Sequence, residues 1–220
     1  MFVTPEPEQT RAASRHARGE RSREAILDAA AQVATVEGID GLSIGRLAQA
    51  VGMSKSGLFG HFGSKEELQL ATIDAATELF EQHVLAPAET ATDGLGRLRL
   101  LTDGYLRYVE DDVFPGGCFF ASVLSEMDTR PGPVRDRLVG FLTDWLGRLE
   151  AAIRQAQEEG SLAAGEEPVD LAFELESTLF FANAQYVVSG TREPIERARR
   201  VVERRLARTT PAEPAGQRRP

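Results

Sequence analysis

Residues 43–62 read SIGRLAQAVGMSKSGLFGHF, and the fold is decided in this stretch. Ser43 is a good helix N-cap, and Leu42 before it can staple onto Leu47. The same grammar returns with Met53, then Ser54 as the cap, then Leu58 at the fourth helical position. Two short capped helices are therefore predicted, joined by a turn at Val51-Gly52-Met53. Ala48 and Gly52 let the helices approach closely, while Leu47, Val51, Met53 and Leu58 supply a small shared core. This is helix-turn-helix grammar, with a second helix short and polar enough to enter a major groove. Its outward residues, Lys55, Ser56, Gly57, Gly60 and His61, are mostly small, so the backbone could come close to DNA. The capping hydroxyls and free N–H groups at Ser43 and Ser54 suit phosphate oxygens. A helical hairpin with purely structural caps would carry the same pattern.

Working outward, Ile26, Ala29, Ala30, Val33 and Val36 form one apolar face of a helix from about Ser22 to Glu37, stopped by Gly38. Residues 1–19, rich in Pro, Glu, Ala and Arg, read as a flexible arm. Arg11, Arg15, Arg18 and Arg21 would share one face if it became helical, so it is either a solvated tail or an arm tracking phosphates or the minor groove. On the other side, Ser64-Lys65-Glu66-Glu67 is a capping box opening a longer helix to about Leu85, stopped by Pro87. Helical spacing continues over 93–109, 118–127, 133–159, 168–189 and 194–208, with Pro133, Pro168 and Pro194 at the starts. The tail 209–220 reads as disordered. The fold class is all-α, with about nine helices: a helix-turn-helix domain over 20–80 and a second helical domain over 81–208.

The net charge of −9 on 220 residues would argue against nucleic acid if it were evenly spread. It is not. Residues 1–65 balance at +1, residues 66–207 at −12 and residues 208–220 at +2. A near-neutral front and an acidic rear look like two modules with different partners. The single cysteine, Cys118, excludes an intrachain disulfide and a four-thiolate zinc site. His16, His61 and His83 show no metal-ligand spacing, so no metal and no cofactor are expected. No run of 18 apolar residues and no export signal is seen, and a soluble cytoplasmic protein is expected.

The run REAILDAAAQVATVEGIDGLSIGRLAQAVGMSKSGLFGHFGSKEELQL, Arg23 to Leu70, resembles the DNA-binding domain of the tetracycline-repressor (TetR) family. The specific cues are Leu-Ser-Ile before the second helix, Ala-x-x-Val-Gly-Met-Ser, and Leu-Phe-x-His-Phe-x-Ser-Lys-Glu-x-Leu. The resemblance implies a homodimeric repressor that leaves a two-fold DNA operator when a small molecule fills a pocket in its C-terminal domain. It also implies a DNA-facing set: Ser43, Arg46, Ser54, Lys55, Ser56, Gly57, Phe59, His61 and Lys65. Ser43 and Ser54 match phosphate-contacting caps, Lys55 to Gly57 the base-facing start of the recognition helix, and His61 and Lys65 backbone contacts. Phe59 departs from the family's usual Tyr and has no hydroxyl to donate to a phosphate. Gly45 and Gly60 are bare where many relatives carry larger side chains.

Most aromatic residues lie behind residue 110. At helical spacing they are plain core or a pocket lining; the resemblance favours a pocket around Phe120, Phe141, Trp145, Phe181 and Asn183. Asn183 suits either a ligand or a buried hydrogen bond. Cys118 is read as a small buried residue or, following Gly116-Gly117 at a helix start, as a favoured thiolate. The last two helices, where the family dimerises, offer an apolar seam at Leu171, Leu175, Leu179, Val202 and Leu206. Arginines from Arg197 to Arg208 lie outside that seam as a solvated face. An enzyme is disfavoured because no Ser/His/Asp or Cys/His set and no Gly-rich phosphate loop occurs. A DNA-binding protein without ligand control is the alternative reading. A sequence-indifferent nucleoid binder is disfavoured because it would need a basic body, which residues 66–207 lack.

Overall fold

Helical periodicity and caps carry over into nine successive helices in a computed structural model that describes residues 7–127 and 129–209, with side chains from 19 to 207 apart from 128. They are α1 (Pro7–Glu37), α2 (Ile44–Ala50), α3 (Lys55–Phe62), α4 (Lys65–Phe80, running on through Glu81–Leu85 and Ala86–Ala88), α5 (Gly94–Glu110), α6 (Phe119–Met127), α7 (Pro133–Glu158), α8 (Pro168–Ser189) and α9 (Glu193–Thr209). No strand occurs among the described residues.

Helix α1 packs on α4 and α6, and α2 and α3 sit at the α1–α4 end. Helices α5, α7 and α8 pack on one another, and α9 covers α8 and α5. One continuous buried core runs from Ile26 to Leu206. At its centre, Phe80 meets Tyr105, Tyr108, Phe120, Phe141 and Trp145 edge to face, with ring centroids 5.0–6.3 Å apart. That geometry sets the positive ring edge against the negative face.

Three expectations change. The first helix starts at Pro7, not near Ser22, so helical backbone reaches into the segment read as a flexible arm. The side chains of Arg11, Arg15 and Arg18 and the tail 210–220 lie outside the described residues. Helix α4 does not stop before Pro87. A π-helical turn over Glu81–Leu85 sends the Ala86 N–H to Glu81 O, and Pro87 then falls in a first turn, where no N–H is required.

The third change concerns the proposed seam. Leu171, Leu175, Leu179, Val202 and Leu206 are at most 3% exposed within a single protomer. Helix α8 is apolar on two opposite faces, and the sequence reading selected the one that faces α5, α7 and α9. The other face carries Phe173 (70% exposed), Phe181 (62%) and Val188 (89%) in steps of helical spacing.

Leu175→Ala should therefore act as a core deletion. It is expected to cost about 2–5 kcal/mol and lower Tm clearly, with the mass by light scattering unchanged. An altered mass at unchanged Tm would return Leu175 to an intermolecular contact.

Candidate nucleic-acid interface and inner cavity

Each helix of the motif is started by a serine. Ser43 Oγ accepts from Arg46 N and Ser54 Oγ from Gly57 N, both at 3.1 Å. Between them Gly52 takes a left-handed φ of +68°, and Met53 N donates to Ala48 O at 2.8 Å, closing α2. At α4, Ser64 Oγ accepts from Glu67 N at 3.1 Å, but Ser64 N turns to Phe62 O, so only half of the expected capping box forms. Helix α3 buries Leu58 and Phe62. Arg23 holds it from α1, with its guanidinium 4.5 Å over the Phe62 ring and a hydrogen bond to His61 O.

The face of α3 turned to solvent presents Lys55, Ser56, Phe59 and Gly60, with Gly57 and His61 half-buried. Lys55 lies across Gly45; a Cβ on Gly45 would stand 2.9 Å from Lys55 Cε. That contact accounts for a bare residue in α2. Phe59 is half exposed, an apolar surface suited to sugars or thymine methyls rather than to phosphate. The three cations of the set differ. Arg46 forms a two-pronged pair with Glu37 at 2.6 Å. Lys65 is held by the carbonyl and carboxylate of Asp40. Lys55 has no acidic partner among the described residues, which leaves its charge available to DNA.

The turn between α1 and α2 is where the two modules join. Glu126, in the last turn of α6, accepts from Ile39 N at 2.8 Å and Asp40 N at 2.9 Å. Asp40 bridges Lys65 and Arg130, each at 2.7 Å. The Lys65 hydrogen bond, then that of Arg130, holds the Asp40 carboxyl below the usual range. Gln69 donates to Ile39 O from below. Higher up, α1 lies so close to the 111–118 loop that a Cβ on Gly116 would fall inside Thr35 O. None of Glu126, Asp40 or Arg130 stood out in the sequence, since nothing in their spacing marks a contact formed across 86 or more residues.

The inner cavity lies between α4, α5, α6, α7 and α8. It is lined by Phe80, Tyr105, Cys118, Phe120, Phe141, Trp145 and Glu176, among others. Its free volume is only about 30 Å³, room for a water or two. Phe80, Phe141 and Trp145 separate it from an open cleft of about 610 Å³ between α4 and α7. Phe120 and Phe141 stack within 6° of parallel. Of the expected pocket set, Phe120, Phe141 and Trp145 meet here. Phe181 does not; it projects outward. Asn183 is committed to structure instead: its Oδ1 accepts from Cys118 N at 2.8 Å, beside Gly117 at φ +78°, where a Cβ would collide with that oxygen. Cys118 is no thiolate, since burial pushes its thiol up to about 11.

Two polar lining groups were not expected in the pocket. Tyr105 is buried, and its hydroxyl has no hydrogen-bond partner among the described residues. Glu176 accepts from Trp145 Nε1 at 2.7 Å through one oxygen. Burial pushes its carboxyl up to about 7, partly offset by the Trp145 bond.

Residues 26–72 match the model of bacterial regulatory proteins of the tetR family, and residues 94–202 that of the tetracyclin repressor-like C-terminal domain. The chain belongs to the TetR family. The nucleoid occlusion factor SlmA of Sodalis glossinidius is 30% identical over 162 residues, 71% of this chain and 74% of that protein. The chain spans 61% and 46% of the length of two further curated relatives, both named as HTH-type transcriptional regulators or activators. A TetR regulator from Chloroflexus aurantiacus has the same fold, with TM-score 0.81 at 23% identity over 88% of this chain and 98% of that one. AibR, solved with isovaleryl coenzyme A and operator DNA, superposes at TM-score 0.69 and 22% identity over 87% and 100%. Among the described residues no cluster suited to a metal ion occurs, and no helix is long and apolar enough to cross a membrane.

Glu176 makes stability depend on pH. Its carboxyl is raised in the fold, so its contribution is fully present below about pH 4.5 and is lost as pH rises toward 7. Tyr105 and Cys118 face it, and neither ionises in that range. In thermal melts Glu176→Gln should match wild type at pH 4 and exceed it at pH 8, by up to about 3 kcal/mol. A gap independent of pH would contradict this.

Proposed function

We propose that the chain is a homodimeric, sequence-specific DNA-binding transcriptional regulator, most simply a repressor released from a two-fold operator by a small molecule in the inner cavity. The observation that carries this is the placement of α6. Phe120, at its start, lines the cavity, and Glu126, in its last turn, grips the α1–α2 turn that carries the DNA-facing helices. Six helical steps separate them, about 9 Å. A molecule that pushes Phe120 off Phe141 would displace a rigid rod ending on the DNA-binding module. Differential affinity for the two positions of α6 would supply the coupling, and DNA would weaken the ligand in return.

Several features support the DNA and dimer parts. The uncommitted Lys55 beside Ser56, Gly57 and Gly60 on α3 suits close backbone approach to a groove, and Ser43 and Ser54 offer caps for phosphates. The exposed Phe173, Phe181 and Val188 face of α8 suits the partner subunit. Two copies of α3 must then reach successive major grooves, about 34–36 Å apart. AibR lends its fold as a precedent for operator and small molecule on one scaffold. The small cavity and the kinship with a nucleoid occlusion factor favour a second reading, DNA binding without effector control.

DNA flanking the chain's own gene is the first probe, in gel shifts with nonspecific competitor. Lys55→Ala should weaken binding about ten-fold or more with Tm unchanged; wild-type affinity would remove α3 from the interface. Phe173→Glu with Phe181→Glu should give monomers by light scattering, and an unchanged mass would move the dimer contact elsewhere. Ala121→Leu fills the cavity from α6 without any ligand. Weaker DNA binding supports the effector-controlled regulator, and unchanged binding the second reading.

A further inference from the structure

We propose that the inner cavity takes a lipophilic organic cation, a quaternary ammonium or protonated amine with an aromatic or branched alkyl body. This rests on reading that cavity as the effector site. The rings of Phe80, Tyr105, Phe120, Phe141 and Trp145 converge on it, and Glu176 is the one carboxylate in its lining. Aromatic faces carry negative potential and attract a desolvated cation. Tyr105 stacks on Trp145 at 21°, and Phe80 meets Trp145 and Phe141 at 5.2 and 5.0 Å, so the rings are already gathered before any ligand arrives.

Glu176 decides the sign of the charge. Its Oε2 receives the Trp145 N–H; its Oε1 has no partner, and no Lys, Arg or His pairs with it among the described residues. A half-buried carboxylate without a counter-ion is disfavoured, and a cation against it removes that cost. The Tyr105 hydroxyl lies beside the Cys118 thiol without an oxygen or nitrogen partner among the described residues, and offers lone pairs in the same lining. A neutral hydrocarbon would leave both groups unsatisfied. An anion would be repelled.

The approach to the cavity agrees. The open cleft behind Phe80, Phe141 and Trp145 presents Asp74, Glu81, Asp136 and Asp144 against Arg137 and Arg148, and Arg137 is already paired with Asp74. Such a cleft concentrates cations at its mouth. With the Phe141 ring swung aside, cleft and cavity together reach the size range of small-molecule sites.

The test uses a charged probe and its neutral isostere, phenyltrimethylammonium and tert-butylbenzene, on the full chain. Trp145 is the only tryptophan and lies in the wall, so its fluorescence reports occupancy. Wild type should bind the cation about ten-fold or more tightly than the hydrocarbon. Glu176→Gln should bring the two within about two-fold of each other, by loss of cation affinity alone. The wild-type ratio stands by itself should that variant fold poorly. Equal binding of the two probes, preference for tert-butylbenzene, or binding of neither would overturn the proposal. Gel shifts with the flanking DNA, run with each bound probe, read the effector assignment separately. If tert-butylbenzene alone binds and releases DNA, the cation class is wrong and the effector site stands. If the cation binds selectively and DNA binding does not change, the class is right and the effector reading fails.

Discussion

The carboxylate of Glu126 accepts two backbone N–H groups, from Ile39 and Asp40, at the end of a turn that α1 leaves with unsatisfied donors. Hydrogen bonds to an ionised acceptor are about twice as strong as neutral ones. This one pair joins the two modules at the point where α2 and α3 begin. The Asp40 bridge to Lys65 and Arg130 reinforces it, though these groups are about half exposed and salt screens them. Everything proposed for function depends on this contact transmitting the position of α6 rather than absorbing it.

The interior is built for that. Packing around Phe80 is dense and ring against ring, so a group inserted beside Phe120 cannot be absorbed locally. At the other end of α6, Asn183 and the glycine pair at 116–117 fix where the helix starts. A short helix held just before its first residue and gripping a turn from its last turn can rock but not slide. The Tyr105 hydroxyl, left without an oxygen or nitrogen partner in the cavity wall, costs stability and offers a polar group to whatever enters.

The motif was fully legible because its signals are local. Ser43 and Ser54 each act within five residues and cap their helices as read, whereas Gly52 serves the turn through its left-handed φ and not through close helix approach, since a Cβ there would meet nothing. The dimer seam was misassigned because periodicity counts apolar faces without saying which one turns inward; α8 has two. Phe181 failed as a pocket residue for the same reason, lying on the outer face, whereas Asn183 faces inward but is spent on Cys118 N. Glu126 and Asp40 were invisible, and the place of Glu176 in the cavity wall was not foreseen, because a charged residue acquires its meaning from partners that only the tertiary fold brings near. The arginines of α9 show the same limit: Arg199 pairs with Asp103 and Glu110 across helices instead of standing free.

The most direct measurement is the distance between the two recognition helices in the dimer. Spin labels on Gly60→Cys would report it by pulsed electron resonance, since Gly60 faces open space and the buried Cys118 thiol does not react. The account predicts a separation compatible with successive major grooves, about 34–36 Å between helices. It predicts a shift of several ångströms in the Ala121→Leu background, and that Glu126→Gln abolishes the shift. An identical distance with the cavity empty and filled would contradict it, because α6 would then move nothing that DNA can sense.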